Sequence, residues 1–278
     1  MAITKAAARL ILRENDHYGF AGPALCLGVP DVYLSVSELD AGSGVRRRSG
    51  GPPFISATEF LEALGLSDIV SIDLPGAAHA PDDVHDLNLP LPSDYSNRFG
   101  VVIDPGTTEH IFDVRSGLTN IAEALRVGGV VIHFVPVYSY NGGYFSINPN
   151  VLHDFYHANG FGDTRAYVVM WDRYRPFAGR SRCYPYSSVL EPRHSLADRD
   201  QCRFSPHLLF FSRKKTALDT YKSPVQIEPD SGSSETSRRS PAKSLATAVL
   251  SEGATVQIAA RLRRRRQLRA IRRTSFWF

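Results

Sequence analysis

Residues 98–136 read RFGVVIDPGTTEHIFDVRSGLTNIAEALRVGGVVIHFVP, and this stretch decides the fold class. Val101, Val102 and Ile103 are β-branched and unbroken by charge, the composition of a parallel strand covered on both faces. Asp104 ends that strand, and Glu109 and His110 follow in a loop. Ile121, Ala124 and Leu125 then recur at helical spacing, and Gly128-Gly129 is expected to stop the helix before a second buried strand, Val130–Val135. A strand, a helix and a strand in that order imply a parallel sheet, whose ligands lie beyond the carboxyl ends of the strands. Asp104, Glu109, His110 and His133 all fall near such ends. A small-molecule site is therefore expected there.

Outward from this unit the same pattern recurs. Pro23–Gly28 reads as the first buried strand with its turn, and Asp68–Asp73 as the second. Ile3–Arg13 forms a plausible short helix. Ser56 or Thr58 is placed to cap a helix over Ala57–Leu64, ended by Gly65. Residues 79–92 are mostly loop. Pro149 opens a helix to Ala158 at the first-turn position where proline fits. Thr164–Trp171 and His207–Phe211 supply the remaining strands. Val45–Pro53, with three consecutive arginines, reads as an insert, and Asp172–Ser205 as a long excursion.

The net charge of +4 hides two unlike parts. Residues 212–278 hold 15 Lys and Arg against 5 Asp and Glu, so residues 1–211 carry a net charge near −6. An acidic body argues against a nucleic-acid groove on the domain. Ser, Pro, Glu and Thr dominate from 216 to 250, the composition of a disordered linker. Residues 251–278 carry eight arginines among Leu262, Leu268 and Ile271 and end in Phe276-Trp277-Phe278. That pattern suits a basic helix adsorbing to an anionic membrane surface, or a solvated extension. Three cysteines show no metal or disulfide spacing and suit a reducing cytoplasm. Arg9 and Arg13 interrupt the N-terminal apolar run, so no secretory signal is read there. The expected organisation is a domain over 1–215, a linker over 216–250 and a basic tail over 251–278.

The central stretch resembles the class I S-adenosylmethionine-dependent methyltransferases. In these a strand ending in Asp precedes a helix and an "L+PGG" turn. The chain has Leu125-Arg126-Val127-Gly128-Gly129, with Val127 in place of the usual Pro. It is more closely similar to a bacterial branch often found among genes for surface polysaccharide or secondary metabolites. Three segments carry that resemblance: Val84-His85-Asp86-Leu87-Asn88-Leu89-Pro90, Gly106-Thr107-Thr108-Glu109-His110-Ile111-Phe112 and Phe155-Tyr156-His157-Ala158-Asn159-Gly160-Phe161. It covers roughly residues 20–212.

The resemblance implies an α/β fold, with a Rossmann-like, mostly parallel seven-stranded sheet flanked by helices and a basic extension. It also implies S-adenosyl-L-methionine as cofactor. Asp73, ending the second strand, is the candidate for the ribose hydroxyls, with a turn-capping role as its alternative. Asp86 and Asn88 are candidates for the adenine edge, or form an Asx turn. Gly28, Asp104 and Gly106 complete the cofactor candidates. Gly28 is the sole remnant of a Gly-rich turn, and Pro30 beside it has no donor. Glu109, His110 and His133 are the catalytic candidates. His110 is the candidate base and Glu109 its orienter, or both hold the loop. His133 is either a core histidine or a group on the pocket. No metal-ligand spacing appears.

The activity implied is methyl transfer to a hydroxyl or amine of a sugar or small metabolite, in the cytoplasm or at the inner membrane face. The alternative is a non-catalytic methyltransferase-like scaffold docking to a partner or membrane through its tail.

Overall fold

The computed structural model describes residues 2–43, 54–138, 142–172, 181–186, 204–217, 220–225 and 276–277. The insert at 45–53, the loop residues Tyr140 and Asn141, most of the 172–205 excursion and nearly all of the expected basic helix lie outside the described residues.

In chain order the elements are β1 (Ala2–Ile3), α1 (Lys5–Tyr18), β2 (Gly22–Leu27), β3 (Asp31–Val32), α2 (Val36–Ser43), α3 (Ala57–Ala63), β4 (Leu66–Asp73) and β5 (Asp83–Val84). There follow β6 (Phe99–Asp104), a 3₁₀ turn at Thr108–His110, α4 (Val114–Ala124), β7 (Leu125–Pro136) and α5 (Pro149–Ala158). β8 (Phe161–Asp172), β9 (Arg182–Tyr186), β10 (Phe204–Lys214) and β11 (Phe276–Trp277) complete the list.

Among the described residues the main sheet has nine strands, in the order β11-β9-β8-β10-β7-β6-β2-β4-β5. Pairings from β5 to β7 are all parallel. Those from β7 outward through β10, β8, β9 and β11 are antiparallel. The fold is Rossmann-like. The expected mostly parallel, seven-stranded sheet is thus corrected to nine strands with half of the pairings antiparallel. The two extra strands are β9, inside the Arg- and Tyr-rich excursion, and β11, from the chain's end.

Strand alternation builds a three-layer sandwich. Ala24, Cys26, Val101, Ile103, Val130 and Ile132 face one way, into a core shared with α1 and α3. Leu25, Leu27, Val102, Val131 and Val135 face the other way, against α4 and α5. Strands buried on both faces read as unbroken apolar runs, which is why β2, β6 and β7 were legible.

Caps fix the helices. Ser56 and Glu59 form a reciprocal capping box on α3, Asp113 accepts from the Ser116 N–H at the start of α4, and Asn148 with Pro149 opens α5. α1 runs to Tyr18, past the expected end at Arg13, and stops at left-handed Gly19. Its extra turn carries Glu14, buried between Arg165 and the Tyr167 hydroxyl.

Two further expectations change. Gly128-Gly129 does not end α4: Leu125 already has extended backbone, and both glycines lie within β7. Phe99 pairs with Leu125 but Val101 with Val130, so the glycines absorb a bulge between the two strands. Beyond residue 215, Asn159 donates to the Lys222 carbonyl and accepts from its N–H, holding residues 220–225 against α5. At the chain's end Phe276–Trp277 form a strand beside Cys183 and Arg182 rather than the end of a helix.

Candidate functional site

The parallel half of the sheet changes direction at β2. From β2 the chain steps outward to β4 and β5, then returns to β6 on β2's other side. In open α/β sheets this switch point, at the strands' carboxyl ends, is where ligands bind. Leu27, Asp73, Asp104 and Pro136 end four of the strands that define this edge.

At the ends of β2 and β4 lies a cleft of about 360 Å³ lined by Val29, Asp31, Asp73 and the segment Leu74–His79. That volume is in the range of small-ligand sites, about 300–1,000 Å³. Asp73 is partly exposed, and its Oδ1 accepts the Leu74 N–H at 2.8 Å. Gly76, Ala77 and Ala78 put little side chain into the space. His79 Nε2 meets Asp31 Oδ1 at 3.2 Å across the rim. Gly28 turns the chain with φ 77° and donates its N–H to the Ile72 carbonyl at 2.7 Å. That donor is therefore spent on β4.

Between β6 and β7 the arrangement is different. The parallel register sets Asp104 beside His133. Both are 0% exposed, and Asp104 Oδ2 meets His133 Nδ1 at 2.7 Å. His133 Nε2 meets the buried Tyr156 hydroxyl from α5, also at 2.7 Å. Asp104 Oδ2 further accepts the Thr108 hydroxyl at 2.6 Å, while Oδ1 accepts N–H groups from Gly106, Thr107 and Thr108. Burial opposes the Asp104 charge, but the bonds from His133, Thr108 and the Thr107 backbone outweigh it and hold the carboxyl below its usual range. Thr107 Oγ1 donates to the Leu27 carbonyl at 2.6 Å, pinning this loop across the switch point. Of the two readings open for His133, these bonds describe the core histidine, with Asp104 as its buried partner. Both nitrogens of His133 are engaged, and both oxygens of Asp104.

Glu109 lies on the same loop in the opposite condition. It is 5% exposed, and its Oε2 is buried without a hydrogen-bond partner. Burial, then the negative charge of Asp104, pushes its carboxyl up to about 8. Gly106, at φ 107°, is the close approach: a Cβ there would stand 3.1 Å from Glu109 Oε1. His110, next in sequence, is exposed.

Asp86 and Asn88 form the Asx turn that was their alternative. Asp86 Oδ1 accepts both the backbone and side-chain N–H of Asn88, at 2.9 and 2.7 Å. These bonds hold the Asp86 carboxyl below its usual range. Asn88 Oδ1 accepts the Asp113 N–H, tying the turn to the start of α4.

The structure thus brings Asp73 to a cleft and Asp104, Gly106, Glu109 and His133 to one neighbouring cluster. It leaves the Asp86–Asn88 turn apart as a brace. Asp31, His79, Thr107 and Tyr156 were missed by the sequence reading. Thr107 and Tyr156 stand inside segments already singled out, but their bonds to Leu27 and His133 cross 80 and 23 residues. Among the described residues no group of three His, Cys, Asp or Glu is placed to hold a metal. Among them too, no helix is long and apolar enough to cross a membrane.

No protein-family model matches the chain, and no curated protein sequence matches it. Several solved structures are similar to it at low identity. A candidate methyltransferase of Bacillus halodurans is 11% identical, with 70% of this chain and 93% of that one covered and a TM-score of 0.40. The phosphoethanolamine N-methyltransferase 2 of Haemonchus contortus, solved with S-adenosyl-L-methionine, is 11% identical over 75% of this chain and 53% of its own, with a TM-score of 0.39. A sugar N-methyltransferase of Streptoalloteichus is 14% identical over 65% and 59%, with a TM-score of 0.31.

Proposed function

We propose that this protein is an S-adenosylmethionine-dependent methyltransferase acting on a hydroxyl or amine of a sugar or small metabolite. The observation that carries the reading is Asp73, a partly exposed carboxylate ending β4 in a cleft of about 360 Å³ beside the switch point. A carboxylate there has two oxygens for the two hydroxyls of a ribose. The small residues at 76–78 leave room for the nucleoside, and the carboxylates, as acceptors, suit hydroxyl donors rather than phosphates. The segments at 84–90, 106–112 and 155–161, which resemble the bacterial methyltransferase branch, agree with that assignment.

The cofactor, when bound, supplies a methyl group on a sulfonium, already a strong electrophile. The protein's own residues are left with binding, orientation and exclusion of water. Asp73 would hold the ribose. The Asp104–His133–Tyr156 network fixes the loop that carries Glu109 and His110. Glu109 and the exposed His110 are the candidates to meet an acceptor, with His110 the candidate proton acceptor.

One observation favours the scaffold reading instead. The Gly28 N–H is spent on Ile72, and Pro30 has none, so the first loop offers few donors to the cofactor's methionine end. Titration calorimetry of the full chain with S-adenosylmethionine and S-adenosylhomocysteine separates the two. Micromolar binding, weakened in Asp73→Ala, supports the enzyme. A folded chain with no heat of binding for either compound overturns it.

A further inference from the structure

Residues 142–147 lead into α5 and lie as a strap on the 3₁₀ turn that carries Glu109. At the α5 end the strap is fixed, because Ile147 is buried in the core and donates its N–H to the Pro136 carbonyl at 2.9 Å. Toward its glycines it is held by one residue. The Tyr144 and Phe145 N–H groups both donate to the Glu109 carbonyl, at 2.8 and 3.2 Å. Gly143, at φ 139°, comes so close that a Cβ there would stand 2.7 Å from that oxygen and 2.9 Å from Glu109 Cγ. The rings add little burial: Phe112 and Tyr144 meet edge to face at 5.6 Å but stay 73% and 69% exposed. A segment with few buried apolar contacts opens locally at small cost.

The Glu109 side chain is packed for its neutral form. Its carboxyl takes its own backbone N–H, and Oε2 is buried with no partner. Two charges bear on it: Asp104, at the end of β6, repels, and the chain's amino terminus attracts more weakly. His110, next in the chain, is exposed, and His133 on β7 is spent on Asp104 and Tyr156. The strap brings no charge, since residues 142–147 are Gly, Gly, Tyr, Phe, Ser and Ile. An ionised Glu109 is therefore a poorly compensated charge in a dry niche. Of the two glycines that wall the niche, Gly106 belongs to the loop pinned by Asp104 and by the bond from Thr107 to Leu27. Gly143 is the wall that can yield.

We propose that Glu109 is a proton-operated latch: protonated, it holds the 142–147 strap down on the turn at 108–110, and ionised, it moves to water and lets the strap lift. Burial and then Asp104 set the working range, pushing the carboxyl from 4.5 up to about 8 while the strap is down. With the strap lifted, the carboxyl returns to its ordinary range, so rising pH favours opening until the closed form also ionises near 8. The strap is fastened to the loop that carries Glu109 and His110, the two acceptor candidates, so its lifting would gate that side of the site. The gating of an acceptor rests on the methyltransferase reading; the latch does not.

Amide hydrogen exchange of the full-length protein tests it, read at the Tyr144 and Phe145 amides and corrected for the intrinsic exchange rate at each pH. The opening constant of these amides should rise between pH 6 and 8, by at most about tenfold per pH unit, and level off above 8. Glu109→Gln should match the wild type at pH 6 and stay flat to pH 9. Gly143→Ala, whose methyl group meets the Glu109 carbonyl, should expose both amides at every pH. The amides of Leu152–Tyr156 in α5 should remain far better protected than the strap throughout. A flat wild-type profile, an equal rise in Glu109→Gln, or a strap that exchanges only together with α5 overturns the proposal. S-adenosylhomocysteine titrated into the same samples reports separately on the cofactor cleft. Its failure to bind would remove the methyltransferase reading and leave the latch standing.

Discussion

Two carboxylates end the strands on either side of β2, and the sheet treats them in opposite ways. Asp104, at the end of β6, is wholly buried, and both of its oxygens are taken by protein donors. Asp73, at the end of β4, keeps one backbone bond to Leu74 and faces a cleft. The contrast follows from position. β6 lies inside the sheet between β2 and β7, whereas β4 has only the two-residue strand β5 beyond it. A central strand end is surrounded by groups that need satisfying, so its carboxylate becomes a structural hub. A strand end near the edge stays wet and available. Residue type and strand position alone do not separate a ligand-binding acid from an architectural one; the number of partners already engaged does.

The sharpest way to break this contrast is Asp104→Ala. It strands His133, the Thr108 hydroxyl and three backbone N–H groups in a dry interior. Removing one partner of such a buried charged network costs about 3–5 kcal/mol. Urea unfolding should show that loss, or the protein should fail to accumulate folded. A loss under 1 kcal/mol would show that the network is not the hub described. Asp73→Ala should leave the unfolding midpoint nearly unchanged.

Glu109 sharpens the comparison through pH. Its folded pKa is raised to about 8, above its value of 4.5 in an unfolded chain. Below 4.5 both states hold the proton and its stabilising effect is fully present. As pH rises from there, the unfolded chain ionises and the folded one resists, so stability falls until the folded group also ionises near 8. The slope is at most about 1.4 kcal/mol per pH unit. Glu109→Gln removes the charge and keeps the shape. Its stability should match the wild type near pH 4 and exceed it at pH 8.5, by chemical denaturation at each pH. Parallel curves for the two proteins would show that Glu109 is not held neutral.

Asp73→Ala is the next effect in size, and it falls on binding. Hydrogen bonds to a charged group are worth about 1.5–3 kcal/mol, or roughly 10- to 100-fold in affinity. S-adenosylhomocysteine should weaken by that factor with the melting temperature of the free protein unmoved. An unchanged affinity would assign Asp73 to capping the turn at Leu74.

The sheet's centre was legible because burial on both faces writes itself as β-branched runs: Val101–Ile103 and Val130–Val135 needed no partner to be read. α5 was readable to the residue from Pro149, since a proline at N1 fixes its start. What escaped depended on partners distant in sequence. β9 lies in a stretch read as an excursion and β11 at the end of a basic run, so both exist only through their neighbours. Gly128-Gly129 looked like a helix stop because its other use, absorbing a bulge against β6, depends on inter-strand register. The same register places Asp104 beside His133, and without it His133 stayed balanced between core and pocket. Glu109 was singled out by its company in the loop, but its unpartnered oxygen is visible only when everything around it has been placed.

The smallest expected effect tests the open side of the comparison. His79 and Asp31 meet at 3.2 Å across the cleft's rim, and their side chains are 50% and 55% exposed. Exposed ion pairs are worth about 0–1 kcal/mol, because water and salt screen them and ordering two side chains costs entropy. His79→Ala should therefore shift the unfolding free energy by less than about 0.5 kcal/mol. If the cleft is shaped by its backbone at 74–78, S-adenosylhomocysteine affinity should also change by no more than a few-fold. A loss as large as that of Asp73→Ala would mean that the rim pair holds this segment in place. The wet strand end would then need a clasp much as the dry one needs a hub.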